Sequence, residues 1–316
     1  MNITNGYWQY NLTKLFFVSV VLFDMNEFTI KDLENLSGVK AHTIRIWEQR
    51  YNFLKPRRTE TNIRYYSNEE LKSVLNIALL NKYGYKISFI DKMSKDEIGK
   101  KLQQINQHEA QQERLINELI SYTVDLDMES FEELINKEIR ASDIQKAIDK
   151  LIFPFLEKIG ILWLSNKINP AQEHLVFNII RQKLFLAIDK CPKPDSSQTV
   201  VLFLPENEHH ELGLIYVNYL LRQMCVRTFY LGANVPSVDL EYVVKVKNPT
   251  FLYSHITSVS NKFNMEKFIA QLQYRVKNIP VFLSGPMVVA YDKYLPANIH
   301  IKHSLIEVKK MIENIS

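Results

Sequence analysis

This sequence predicts a multidomain α and α/β chain, helical up to about residue 190 and folded around a doubly wound parallel sheet from residue 197 onward. Three observations predict it. Two short amphipathic stretches flank Ser37-Gly38, polar stretches with apolar residues at three- and four-residue steps fill the middle, and apolar runs such as Thr199 to Leu204 alternate with helical segments thereafter.

At 316 residues the chain exceeds one typical core and fits two or three domains. With 46% hydrophobic and 23% charged residues it is of ordinary globular composition, which excludes disordered and collagen-like classes. Cys191 and Cys225 are its only cysteines and form no C-x-x-C, which fits a reducing compartment and excludes a cysteine-built zinc site. We therefore expect a cytoplasmic protein. Residues 28 to 93 hold twelve Lys or Arg against seven Asp or Glu, a larger surplus than the +4 of the whole chain. A basic head on a near-neutral body suits a nucleic-acid partner for the head, with a merely solvated basic face as the alternative.

The run Leu15 to Phe23 (LFFVSVVLF) is too short to span a bilayer as a helix, and Asp24-Met25-Asn26-Glu27 offers no small-residue cleavage site. The expectation is no membrane partner, with Met25 as the true start and residues 1–27 a non-native or disordered extension.

The head spans residues 28–95. Thr29 can cap a helix through Leu36, Ser37-Gly38 supplies a turn, and a second helix runs from about Lys40 to Tyr51. Val39, Ile44 and Trp47 share one side while His42, Thr43, Arg45 and Gln49 can face outward, a helix-turn-helix pattern whose second helix is free to enter a major groove. Leu54 to Arg58 and Ile63 to Tyr66 read as a basic hairpin, followed by a helix from Asn68 to Tyr83.

The run Thr43-x-Arg45-x-Trp47-Glu48-x-Arg50-Tyr51, with Pro56-x-Arg58, Arg64-x-Tyr66 and Gly84-Tyr85-x-Ile87, resembles the winged helix-turn-helix head of MerR-type regulators. The resemblance implies that double-stranded promoter DNA is the partner. It sets His42, Thr43 and Arg45 on the groove side and Arg58, Arg64 and Tyr65 on a phosphate-contacting wing, with RNA polymerase a further partner at the promoter. Trp47 and Tyr51 read as packing residues.

Residues 96–190 read as a linker and a four-helix bundle. Asp96 to Leu119 is expected as one helix, with others at Ser130 to Asn136, Ala141 to Ile159 and Pro170 to Ala187. Ile144, Ile148, Leu151, Ile152, Phe155 and Ile159 describe one buried face, and Pro154 is expected to kink that helix. Within this stretch Trp163, followed at ten and eleven residues by Glu173 and His174, resembles the Trp-x9-Glu-His signature of the cap over cobalamin in light-responsive CarH/LitR regulators. Where those photoreceptors carry a histidine after the tryptophan, this chain has Leu164, which cannot ligate a metal.

In residues 197–316, strands are expected at Thr199 to Leu204, Val226 to Leu231, Thr250 to Tyr253 and Val281 to Leu283, with helices between, in a flavodoxin-like arrangement. The loop after the first strand carries Glu208-x-His210-x-x-Gly213, which resembles the Asp/Glu-x-His-x-x-Gly motif of base-off, His-on cobalamin domains. The resemblance implies His210 as lower axial ligand of cobalt, steered by Glu208, with Gly213, Ser254 and the Ser284-Gly285 pair around the nucleotide tail. Serine at 284 replaces a glycine of that family's Gly-Gly pair.

Together these readings predict a DNA-binding transcription regulator, not an enzyme, controlled by cobalamin (adenosylcobalamin or methylcobalamin), with light as one conceivable signal. It would act by changing a dimeric or tetrameric assembly. One alternative is a MerR-type regulator whose pocket has lost cobalamin and senses another ligand or a protein partner. Another is a corrinoid-carrying methyl-transfer component, for which the DNA-reading head would have no task.

Overall fold

The computed structural model describes residues 27–257 and 263–314, so the apolar run at 15–23 and a start at Met25 lie outside the described residues. The chain forms two compact units, one of residues up to Asp127 with Lys150–Gln172, the other of Met128–Asp149 with Glu173 onward. Among the described residues no helix is long and apolar enough to cross a membrane.

The first unit opens with α1 (Ile30–Ser37) and α2 (Ala41–Arg50), turning at Gly38. Thr29 caps α1 as expected: its hydroxyl accepts from the Asp32 amide at 3.2 Å while Asp32 accepts from the Thr29 amide at 2.7 Å. Such reciprocal caps contribute about 1 kcal/mol each. A two-residue hairpin, β1 (Arg57–Arg58) and β2 (Arg64–Tyr65), forms the wing, and Tyr66 closes it by exchanging backbone hydrogen bonds of 2.8 and 2.9 Å with Phe28. Then come α3 (Asn68–Lys82), α4 (Ile87–Ile90), α5 (Lys95–Gln104) and α6 (His108–Asp125). Leu33 and Leu36 of α1, Ile44 and Trp47 of α2 and Leu71, Val74 and Leu75 of α3 are buried, which makes Trp47 a core residue.

The single helix expected over Asp96 to Leu119 is two. No helix breaker stands at the gap; Ile105 is extended (φ −74°, ψ 110°) and buried, so packing of its side chain outweighs local helix preference. The helix expected at Ser130 to Asn136 is longer, as α7 (Met128–Ala141). The next does not begin at Ala141. Asp143 caps α8 (Ile144–Ala147) by accepting from the Lys146 amide at 2.8 Å, and a π-helical turn (Ile148–Ile152) leads into α9 (Phe153–Leu164). Pro154 accounts for that turn. Without an N–H it cannot bond the carbonyl of Lys150, which the side-chain amide of Gln112 takes instead. Ile148, Leu151, Ile152, Phe155 and Ile159 are buried as the spacing requires, while Ile144 is only half-buried. Helix α10 (Pro170–Asp189) follows.

The second unit holds a five-stranded parallel sheet. Its elements are β3 (Thr199–Pro205), α11 (Leu212–Gln223), β4 (Arg227–Val235), α12 (Ser237–Lys247), β5 (Phe251–His255), α13 (Met265–Arg275), β6 (Val281–Ser284), α14 (Pro286–Val289), β7 (Ile299–Lys302) and α15 (Leu305–Glu313). Strand order is β4-β3-β5-β6-β7, every neighbour parallel. This is the doubly wound, flavodoxin-like arrangement. Its topological switch point lies between β3 and β5, where ligands of such sheets enter beyond the strands' carboxyl ends. Residues Leu214 to Leu221 of α11 are all buried, so this helix is apolar around its whole circumference and serves as part of the core.

Candidate functional site

The loop between β3 and α11 is organised around one carboxylate. Glu208 is 0% exposed, and nitrogens meet both of its oxygens: Oε1 accepts from the amides of His209 and His210 and lies 2.8 Å from Nδ1 of His210, while Oε2 accepts from the Thr257 amide at 2.9 Å. A buried carboxylate is tolerable only with such donors around it. Because an ionised carboxylate only accepts, Nδ1 of His210 carries the proton and the ring's lone pair sits on Nε2. The imidazole is 39% exposed, with the Phe177 ring edge-on at 6.5 Å. A carboxylate that fixes tautomer and raises basicity is what a metal-ligating imidazole needs.

Beside it, Glu211 receives Arg181 Nε and the Tyr230 hydroxyl, each at 2.7 Å. Burial and the Glu211 charge push the Tyr230 phenol up, so it stays a neutral donor. This knot stacks α10 on the strand β4 side, with Phe185 edge-on to Tyr230.

The switch-point crevice gathers the remaining expected residues at the carboxyl ends of β5 and β6. Ser254 is fully buried and its hydroxyl has no hydrogen-bond partner among the described residues, an orphaned donor that a ligand group would satisfy. At Gly213, second residue of α11, a Cβ would lie 2.3 Å from Cδ2 and 2.6 Å from Nε2 of His255, so any larger residue there would have to displace the ring. Gly285 has φ +100°, and a Cβ on it would meet the Ile256 carbonyl oxygen at 2.3 Å. The Ser284 hydroxyl lies 2.6 Å from the Tyr253 hydroxyl and 2.8 Å from Nδ1 of His255. If Tyr253 donates to Ser284 and Ser284 donates to Nδ1, both hydroxyl protons find acceptors within the trio and the His255 proton resides on Nε2. Burial holds the His255 imidazole neutral, its pKa down to about 4, against the opposing pull of Glu208.

In the first unit, His42 and Arg45 project from α2 as exposed side chains and Thr43 is half-buried, its hydroxyl 3.3 Å from Nε2 of His42. Glu48, also on α2, receives Arg64 Nε at 2.8 Å and an Arg58 guanidinium nitrogen at 3.4 Å. Arg58 and Arg64 of the wing are therefore tied to α2. Tyr65 is half-buried on β2. Trp163, in the last turn of α9, is half-buried and belongs to this unit, whereas Glu173 and the exposed His174 stand in the first turn of α10 and open the second stretch of the other unit.

Sequence reasoning gave Glu48 no role although it stands inside the MerR-like run, and it missed Thr257, His255 and the Arg181–Glu211–Tyr230 knot. His255 carried a signal in its place directly after Ser254.

Two stretches match known families: residues 28–97 match the MerR HTH family of regulatory proteins, and residues 115–187 the B12 binding domain. A MerR HTH match and a B12-binding-domain match in one chain define a class of proteins. Within it, the chain is 27% identical over 267 residues to the HTH-type transcriptional repressor CarH of Myxococcus xanthus, covering 82% of this chain and 88% of that one. It is also 27% identical over 214 residues to the repressor CarA of the same organism, covering 67% and 70%. The chain is homologous to these two repressors. Among solved structures, the monomethylamine corrinoid protein of Methanosarcina barkeri shares the fold, with a TM-score of 0.53 at 14% identity over 64% of this chain and 99% of that one.

Proposed function

We propose that this chain is a transcription regulator, not an enzyme, whose hold on double-stranded promoter DNA is set by a bound cobalamin. The observation that carries the reading is the Glu208–His210 pair at the switch point of a sheet whose chain also bears a MerR-type head. In this reading residues 28–95 bind DNA, 96–190 are linker and cap, and 197–316 carry the corrinoid. His210 would hold cobalt from below through Nε2 while Glu208 fixes its ring. Gly213, Ser254, Ser284 and Gly285 would line the route of the nucleotide tail, and Trp163, Glu173 and His174 would serve the upper face. Bound as adenosylcobalamin or methylcobalamin, the group would supply a cleavable cobalt–carbon bond. Because Leu164 offers no imidazole beside Trp163, a light-driven switch to a second histidine at that position has no ligand.

The output would be a change in self-association, since paired heads suit paired half-sites and only a ligand with different affinity for two assemblies can shift them. RNA polymerase at the same promoter, in the cytoplasm, is the machinery acted upon. The test is to purify the full chain from cobalamin-supplied cells, measure bound cobalt, and compare assembly mass and promoter retardation with and without adenosylcobalamin or methylcobalamin. Stoichiometric cobalt, with both readouts changing on loading, is expected. A chain that retards DNA without holding any corrinoid would remove the cobalamin half of the proposal.

The head makes its own prediction. Arg45→Ala should cost about 1–3 kcal/mol of discrimination between operator and scrambled DNA, because an exposed guanidinium on α2 is suited to base edges. Arg64→Ala should weaken binding to both DNAs and lower the slope of log affinity against log salt by about 1. Anisotropy titrations at several salt concentrations decide it; an Arg64 variant that loses specific binding alone would reverse the two roles.

A further inference from the structure

The His255 ring stands where the switch-point crevice should be open. It reaches from the end of β5 to the start of α11 and lies so close to Gly213 that a single added carbon would overlap it. It is braced there: Nδ1 is bonded to Ser284, and Ser284 to Tyr253, whose side chain is 0% exposed. If His210 takes cobalt from below, the corrinoid's own base is displaced and must be housed, and the crevice between β3 and β5 is the place the fold provides. In this chain a side chain already fills that space.

We propose that His255, held by Ser284, sets which corrinoids the site accepts, favouring those without a nucleotide tail over those that carry one. The inference rests on the corrinoid reading of the site. A tail can enter only when the ring swings off Gly213, which breaks the part-buried hydrogen bond to Ser284 and leaves that hydroxyl without its acceptor. A corrin ring without a tail meets His210 and leaves His255 in place. Ser284 thus acts through His255, as the brace that holds the ring in the crevice.

The experiment is an absorbance titration of the full-length apoprotein with aquacobalamin and with cobinamide, the same ring without the nucleotide. It compares the native chain with His255→Ala, Ser284→Gly and His210→Ala, melting curves serving to establish that each is folded. His255→Ala should bind aquacobalamin at least about fivefold more tightly, the worth of one hydrogen bond of about 1 kcal/mol. Its cobinamide affinity should stay within about twofold, and Ser284→Gly should shift the same way by less. Equal shifts for both ligands, or no gain for aquacobalamin, overturn the role of His255. If both corrinoids still bind and lose their spectral change in His210→Ala, the cobalamin reading survives that failure. If no variant binds either corrinoid, the two fall together.

Discussion

Replacing His210 with alanine is expected to abolish the spectrum of imidazole-ligated cobalt and to weaken cobalamin binding by at least about 100-fold. The magnitude follows from what the ring has been given. Glu208 holds Nδ1 at 2.8 Å, so Nε2, the nitrogen proposed to ligate, is fixed in tautomer and orientation before any metal arrives, and little ordering would remain to be done on binding. Alanine removes the ligand and leaves Glu208 with its three backbone donors, so the sheet should fold as before. The measurement is an absorbance titration with hydroxocobalamin. A variant that keeps the native spectral change would mean that another nitrogen ligates, and would reject His210 as the lower ligand.

Glu208→Ala should act on stability instead, by about 2–4 kcal/mol, the cost of leaving buried backbone donors without their acceptor. Its loss strands the amides of His209, His210 and Thr257 together with the imidazole N–H, on either side of the switch point, where each unpaired donor is costly. For a unit of this size that corresponds to a fall of roughly 10 °C in melting temperature. Glu208→Gln should lose less but still measurably, because its NH2 would face a donor. A fall of under about 1 kcal/mol in urea unfolding of Glu208→Ala would show that water reaches these groups and that the carboxylate is no structural centre.

The contrast between those two residues explains what could be read in advance. Glu208, His210 and Gly213 lie within six residues and carry their chemistry in their types, so a loop motif announces them. The partners that make them work come from far along the chain: Thr257 supplies its backbone amide, which no side-chain pattern encodes, and His255 meets Gly213 only because β3 and β5 are neighbours. Fold legibility follows a similar divide. The apolar runs of β3, β5 and β6 are buried and easy to recognise, whereas β7 (IHIK), at the sheet edge, alternates and is short; with α15 it went unpredicted. Pro154 announced an irregularity, but the π-helical turn depended on Gln112 reaching the carbonyl that the proline left without a donor.

The carboxylate of Glu48 has a consequence for how the head finds its target. A basic surface adheres to any polyanion, and the time lost on irrelevant chromosome is set by how many cations stand ready. Two wing arginines are already partly neutralised by an internal counter-ion on the helix beside them. On the proposed DNA-binding reading, each phosphate would have to compete with that anion before gaining the contact, so weak encounters would release quickly. On the proposed reading, a duplex that also satisfied Arg45 would hold longer, and the head would be selective in residence time before any effector is bound.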